Sequence, residues 1–133
     1  MRKTSLWIGI WVAAVLLAIG ATPAASAAGG ALDGKTFAGE LMEKGKTKGN
    51  KDTLIFKDGK FRSTACDAYG FTEAAYTATS RDGATTFEAT AQSPKEGTMK
   101  WKGTVKDGTI EGSAVWTKGQ ADTNYTFKGT EKQ

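Results

Sequence analysis

The sequence predicts an all-β domain, an eight-stranded antiparallel up-and-down meander barrel behind an N-terminal signal peptide, and three observations carry that prediction. Asp-Gly recurs at residues 33, 58, 82 and 107, in steps of 25, 24 and 25. Asp-Gly between alternating apolar runs signals a hairpin, because a type I′ turn needs positive φ at both central residues and follows the twist of the strands. Around these turns lie eight short alternating runs, at about 35–43, 52–57, 60–65, 73–80, 85–92, 98–105, 109–117 and 123–130. Beyond the leader no stretch keeps a helical period.

The leader is set aside first. Arg2 and Lys3 precede the apolar run Leu6 to Ile19, and Ala25-Ser26-Ala27 supplies the small-residue pattern of a cleavage site. Residues 1–27 therefore read as a signal peptide, with cleavage near Ala27-Ala28, and residues 28–133 as one small barrel domain in a periplasmic or secreted setting. The apolar run is too short for a membrane anchor, and no transmembrane segment is expected in the mature chain.

Each strand then shows its inward residues by alternation. In order these are Phe37 and Leu41; Leu54 and Phe56; Phe61, Ser63 and Ala65; Ala74, Tyr76 and Ala78; Phe87, Ala89 and Ala91; Met99, Trp101 and Val105; Ile110, Ala114 and Trp116; Tyr125 and Phe127. A two-residue turn fixes the register, and a slip of one residue would flip every side chain. Around Asp107-Gly108 the pairs Val105–Ile110, Gly103–Gly112, Trp101–Ala114 and Met99–Trp116 all fall on one face, with Lys100, Lys102, Thr104, Glu111 and Ser113 on the other. Asp58-Gly59 sets Phe56 opposite Phe61 and Leu54 opposite Ser63; Asp82-Gly83 sets Ala78 opposite Phe87, Tyr76 opposite Ala89 and Ala74 opposite Ala91. Closing such a meander into a barrel removes both sheet edges. The strands are too short and their outer face too polar for an outer-membrane barrel.

Because strands alternate in direction, all four Asp-Gly turns are expected at one tight end. The longer connections, Lys44 to Asp52, Cys66 to Thr72, Ser93 to Gly97 and Lys118 to Asp122, then share the other. Phe37, Phe56, Phe61, Phe87, Val105, Ile110 and Phe127 read as an apolar plug near the tight end. Small residues beside Tyr76, Trp101, Trp116 and Tyr125 read as the wall of a cup near the loops, since a barrel of this size either fills with side chains or holds one small ligand.

Composition excludes much chemistry. Without the leader's Arg2 and Lys3 the formal charge falls from +4 to about +2, too mild to argue for nucleic acid. The chain has no His, which removes the usual zinc ligands and the commonest general base, and its one cysteine, Cys66, cannot form an internal disulfide. Asp33, Asp58, Asp82 and Asp107 are assigned to turns, and no inward strand position is read as carrying a carboxylate, leaving Asp67 alone near the mouth. No enzyme, catalytic residue, metal or cofactor is expected. Cys66-Asp67-Ala68-Tyr69-Gly70-Phe71 reads as a lid with Cys66 buried, or as a rim element in which Tyr69 and Phe71 flank the mouth and Cys66 is a redox-sensitive thiol activated by Lys44, Lys46, Lys48 and Lys51. That lysine run is either a solvated loop or an attractor of anions.

The eight-strand meander, the loop-rich end and the export signal resemble the calycin-type barrels, the lipocalins, fatty-acid-binding proteins and avidins, across the whole mature chain. The likeness is one of fold. The Gly-x-Trp of lipocalins has only Gly34-Lys35-Thr36-Phe37 in its place, and no segment matches the helical lid of fatty-acid-binding proteins. The resemblance implies a small, largely apolar or weakly anionic ligand held at the loop end, with Tyr76, Trp101, Trp116, Tyr125, Tyr69 and Phe71 as its binding residues. The alternative is a protein partner, with the loop rim acting as an interaction or inhibitor module of the cell envelope.

Overall fold

A computed structural model of the protein describes residues 27–28 and 30–133; the expected leader, apart from Ala27, lies outside them. A two-residue strand β1 (Ala27–Ala28) precedes β2 (Thr36–Glu43), β3 (Asn50–Lys57) and β4 (Lys60–Ser63). One helical turn, α1 (Thr64–Asp67), leads to β5 (Ala74–Arg81), β6 (Ala84–Ser93), β7 (Gly97–Lys106), β8 (Thr109–Lys118) and β9 (Ala121–Glu131). Strands β2 to β9 pair each with the next, all antiparallel, and β9 returns to pair with β2, so the eight-stranded meander closes into a barrel.

The turn chemistry expected from the sequence holds at three of the four Asp-Gly pairs. Asp58, Asp82 and Asp107 have φ of 52° to 53° and each is followed by a left-handed glycine, as a type I′ turn requires. The register follows: Val105–Ile110, Gly103–Gly112, Trp101–Ala114 and Met99–Trp116 are paired, as are Phe56–Phe61, Leu54–Ser63, Ala78–Phe87 and Tyr76–Ala89. Ala74 departs from expectation, pairing with Phe61 of β4, because the β5–β6 ladder begins at Tyr76.

Asp33-Gly34 is not a hairpin turn. Among the described residues no strand precedes it to pair with β2, since β1 pairs with β5; residues 31–34 instead form a turn under the tight end, with Leu32 buried. The Asp33 carboxylate accepts the Gly59 N–H at 2.9 Å and the Tyr76 hydroxyl at 2.8 Å, tying this floor to the β3–β4 turn.

Above the floor the interior is packed with rings. Phe56 lies 5.0–5.1 Å from Phe61, Tyr76 and Phe87, and Trp101 lies 5.0 Å from Phe61 and 5.2 Å from Phe127. Edge-on and tilted pairs at such distances each add about 0.5–1.5 kcal/mol beyond the area they bury. Phe127 has its place because Gly103 and Gly112 face each other beneath it. A Cβ on Gly103 would come within 2.7 Å of the Phe127 ring and 2.9 Å of the Phe87 ring.

The outer face carries alternating charge across neighbouring strands, Lys51 beside Glu40, Glu40 beside Lys128 and Lys128 beside Glu111. Opposite charges in cross-strand pairs favour this register over its slips. Among the described residues no helix is long and apolar enough to cross a membrane.

Candidate functional site

The core ends at Trp101, and above it the loop end encloses a cavity of about 90 Å³. Leu41, Ala65, Phe71, Met99 and the Trp116 ring form its apolar floor and wall, while Asn50, Cys66, Tyr69 and Tyr125 bring polar atoms to it. Its size separates it from sites that hold drug-sized ligands, which run to ~300 Å³ and more. A molecule of a few heavy atoms is the largest guest it takes without rearrangement.

The cover of this cavity is built from the segment after β4. Ser63 ends the strand at φ −110°, and the chain turns into α1 without a cap from Ser63's own side chain. The cap comes from across the sheet. Asp52 on β3 accepts the Ala65 N–H at 3.0 Å, the Ser63 hydroxyl at 2.6 Å and the Thr64 hydroxyl at 3.4 Å. Thr64 Oγ1 in turn accepts the Thr53 N–H at 3.0 Å. A carboxylate near the first N–H groups of a helical turn satisfies donors that otherwise lack partners. Asp52 is only 4% exposed, and burial pushes its carboxyl above the usual 3.8 against the opposing pull of Ser63 and the Ala65 N–H.

After α1 the chain reverses at Gly70, whose φ of 82° suits a residue without Cβ, and Phe71 turns inward to be buried. Arg62 holds Asp67 on the outer surface, Nη2 to Oδ2 at 2.6 Å and Nε to Oδ1 at 3.1 Å. Ser93 Oγ donates to the Tyr69 carbonyl at 2.7 Å and accepts the Glu96 N–H at 3.1 Å. The Trp116 Nε1–H donates to the Glu96 carbonyl at 2.6 Å. One small network thus holds the lid, the β6–β7 loop and the indole together. It also uses the polar edge of Trp116 outside the cavity, leaving the ring itself as wall.

The structure places the residues singled out from the sequence in three groups. Tyr69, Phe71, Trp116 and Tyr125 meet at the cavity, with the Tyr69 ring 6.3 Å from that of Trp116. Trp101 is buried one layer below, against Phe61 and Phe127. Tyr76 is not near the loops. It is 1% exposed, its hydroxyl donates to Asp33 and accepts the Leu32 N–H at 2.9 Å, and its own N–H reaches the Gly59 carbonyl. Strands in a closed barrel tilt and stagger, so the start of β5 lies level with the β3–β4 turn, which lowers Tyr76 to the floor. Burial and the Asp33 carboxylate push its hydroxyl up to about 12.

Two further expectations change. Asp52 is an inward carboxylate, which corrects the expectation that no inward strand position carries one; it shares the parity of Leu54 and Phe56. Asp67, the carboxylate read from the sequence as lying near the mouth, is an outer-surface partner of Arg62. Cys66 lies under the lid, 7% exposed, and burial pushes its thiol up to about 11, with the charges of Asp52 and Asp67 adding to the effect. This is the reverse of the electropositive setting that activates a thiol, and Lys44, Lys46, Lys48 and Lys51 are exposed to solvent. Tyr125, half-buried beside Glu43, is likewise shifted upward by burial first and by that charge second. Comparison with protein-family models, curated proteins and solved structures gives no match.

Proposed function

We propose that this chain is an exported barrel that binds one small, largely apolar ligand in the cavity at its loop-rich end, in the manner of a calycin with a shallow cup. The observation that carries the reading is the contrast between the two halves of the interior. Below Trp101 the rings interlock, whereas above it Leu41, Met99, Phe71 and Trp116 border a space that no side chain among the described residues fills. Apolar walls with a few polar tips are the usual make-up of a small-molecule site. The cavity volume favours a ligand of a few heavy atoms over the long chains that deeper calycin barrels hold. The leader expected over residues 1–27 supports a periplasmic or secreted location.

The test is nuclear magnetic resonance of the chain starting at Ala28, titrated with small apolar probes such as tert-butanol, isobutanol and dimethyl sulfide. Saturable shifts are expected at the Trp116 indole N–H and the Met99 methyl, and Ala65→Phe, which fills the cavity from its wall, should abolish them. Absence of any saturable shift at millimolar probe would refute the reading.

A second reading, a protein-binding rim, rests on Tyr69, the one large hydrophobic side chain exposed among the described residues, at 55%. Aromatic side chains of this kind are enriched at interface hot spots. Crosslinking in the source compartment through a photoreactive residue at Thr72 would capture a discrete partner, and Tyr69→Ala would lose it; no discrete partner would end this reading.

A further inference from the structure

Resting on the small-ligand reading, we propose that the cavity at the loop end is an aromatic cage for a small organic ammonium ion, such as a methylated amine head group. Four of its lining residues, Tyr69, Phe71, Trp116 and Tyr125, are aromatic, and among the described residues no Lys or Arg lines it. An aromatic face attracts a cation within about 6 Å of its centre, and converging faces that exclude water recognise quaternary ammonium groups. Tyr69 and Trp116 stand 6.3 Å apart with their planes inclined at 46°, so they form adjoining walls of one corner and not a closed stack. The Trp116 N–H is spent on the Glu96 carbonyl, which pins the indole with its face available. The Tyr69 backbone is pinned in turn by Ser93.

The charges around the cavity agree with this geometry although the chain as a whole is basic. Asp52 lies behind Cys66 and Glu43 lies beside Tyr125, and the fields of these carboxylates oppose ionisation of both groups. Asp67 adds less, since Arg62 neutralises it. The lysines of the 44–51 loop are exposed and none reaches the lining. A cavity of about 90 Å³ admits a compact head group and leaves any attached chain outside, past Tyr69.

The experiment titrates the chain starting at Ala28 with tetramethylammonium and choline, with the neutral isostere 3,3-dimethylbutan-1-ol, and with acetate, following the Trp116 indole N–H. The cations should bind about 3- to 30-fold tighter than the neutral isostere, the range expected of cation–aromatic attraction. Tyr69→Leu, at an exposed position where folding is not at risk, should lower cation affinity severalfold while leaving the isostere unchanged, and Tyr125→Phe, which keeps the ring, should keep the preference. Equal or tighter binding of the isostere, or binding of acetate, overturns the cage and leaves the small-ligand reading standing. Failure of every probe overturns both.

Discussion

Tyr76→Phe isolates one hydroxyl at the floor of the barrel while leaving the ring in its packing against Phe56 at 5.0 Å. The hydroxyl makes two bonds, accepting the Leu32 N–H at 2.9 Å and donating to the Asp33 carboxylate at 2.8 Å. Loss of the first strands a buried backbone donor, which costs about 1–3 kcal/mol, and loss of a bond to a charged acceptor costs ~1.5–3 kcal/mol. The two do not add in full, because Asp33 is exposed, keeps the Gly59 N–H and gains water. A net loss of about 2–3 kcal/mol is expected, a large share of the ~5–15 kcal/mol that a domain of this kind has in total. With a urea slope of about 2 kcal/mol/M this moves the unfolding midpoint down by ~1–1.5 M at unchanged slope. Hydrogen exchange should show the Leu32 amide losing protection before the barrel strands do. Tyr125→Phe is the matched control, since its hydroxyl has no hydrogen bond among the described residues, and it should shift the midpoint by less than ~0.5 kcal/mol in free energy. A Tyr76→Phe protein as stable as the parent, or one with Leu32 still protected, would refute the assignment of the floor.

The same hydroxyl predicts alkaline sensitivity. Its folded pKa is raised from 10.0 to about 12, so the neutral form is favoured on folding; the stability it lends is complete below pH 10 and is lost as pH rises towards 12. Cys66, raised from 9.0 to about 11, acts with the same sign in its own window, and urea midpoints measured across pH 8–12 should fall throughout, less steeply at the upper end in Tyr76→Phe. The native thiol should react with a disulfide reagent orders of magnitude more slowly than the unfolded one, and rapid native reaction would show that the lid does not cover it. Asp52→Ala should cost ~2–4 kcal/mol by leaving the Ala65 N–H and Ser63 hydroxyl unmet, whereas Asp52→Asn, able to accept one and donate to the other, should stay within about 1 kcal/mol at pH 7. Because the Asp52 pKa is raised, its contribution is greatest below pH 3.8 and declines as pH rises through the folded value, a slope that Asp52→Asn should lack in acid titrations followed by circular dichroism. Gly103→Ala should destabilise by about 1–3 kcal/mol through its clash with the Phe127 and Phe87 rings and the Glu111 carbonyl, and Phe127→Leu should relieve the ring's part of that cost in the double variant's urea midpoint.

Alternation and the Asp-Gly turns determined the strands, their faces and the register of three hairpins, because a period of two assigns every residue to one side of a sheet and a type I′ turn fixes what it faces. The phenylalanine plug was legible for that reason; Asp52, expected nowhere on the inner face, shares the parity of Leu54 and Phe56 and is held there by Ser63 and Ala65. Alternation carries no information on height. Distance from the turns placed Tyr125 and Trp116 towards the loops, but only the closed barrel, with its strands tilted and staggered, set Tyr76 level with Asp33 at the floor. Asp33-Gly34 has the residues of a hairpin, but among the described residues the strand before it, β1, pairs with β5 and not with β2, so tertiary contacts with Gly59 and Tyr76 gave its aspartate another task. The cavity likewise depends on where one layer of rings stops and a lid begins, a sum of side-chain volumes over eight strands and one loop that no single segment of the sequence contains. Sequence decided which residues face inward; three-dimensional closure decided which of them meet.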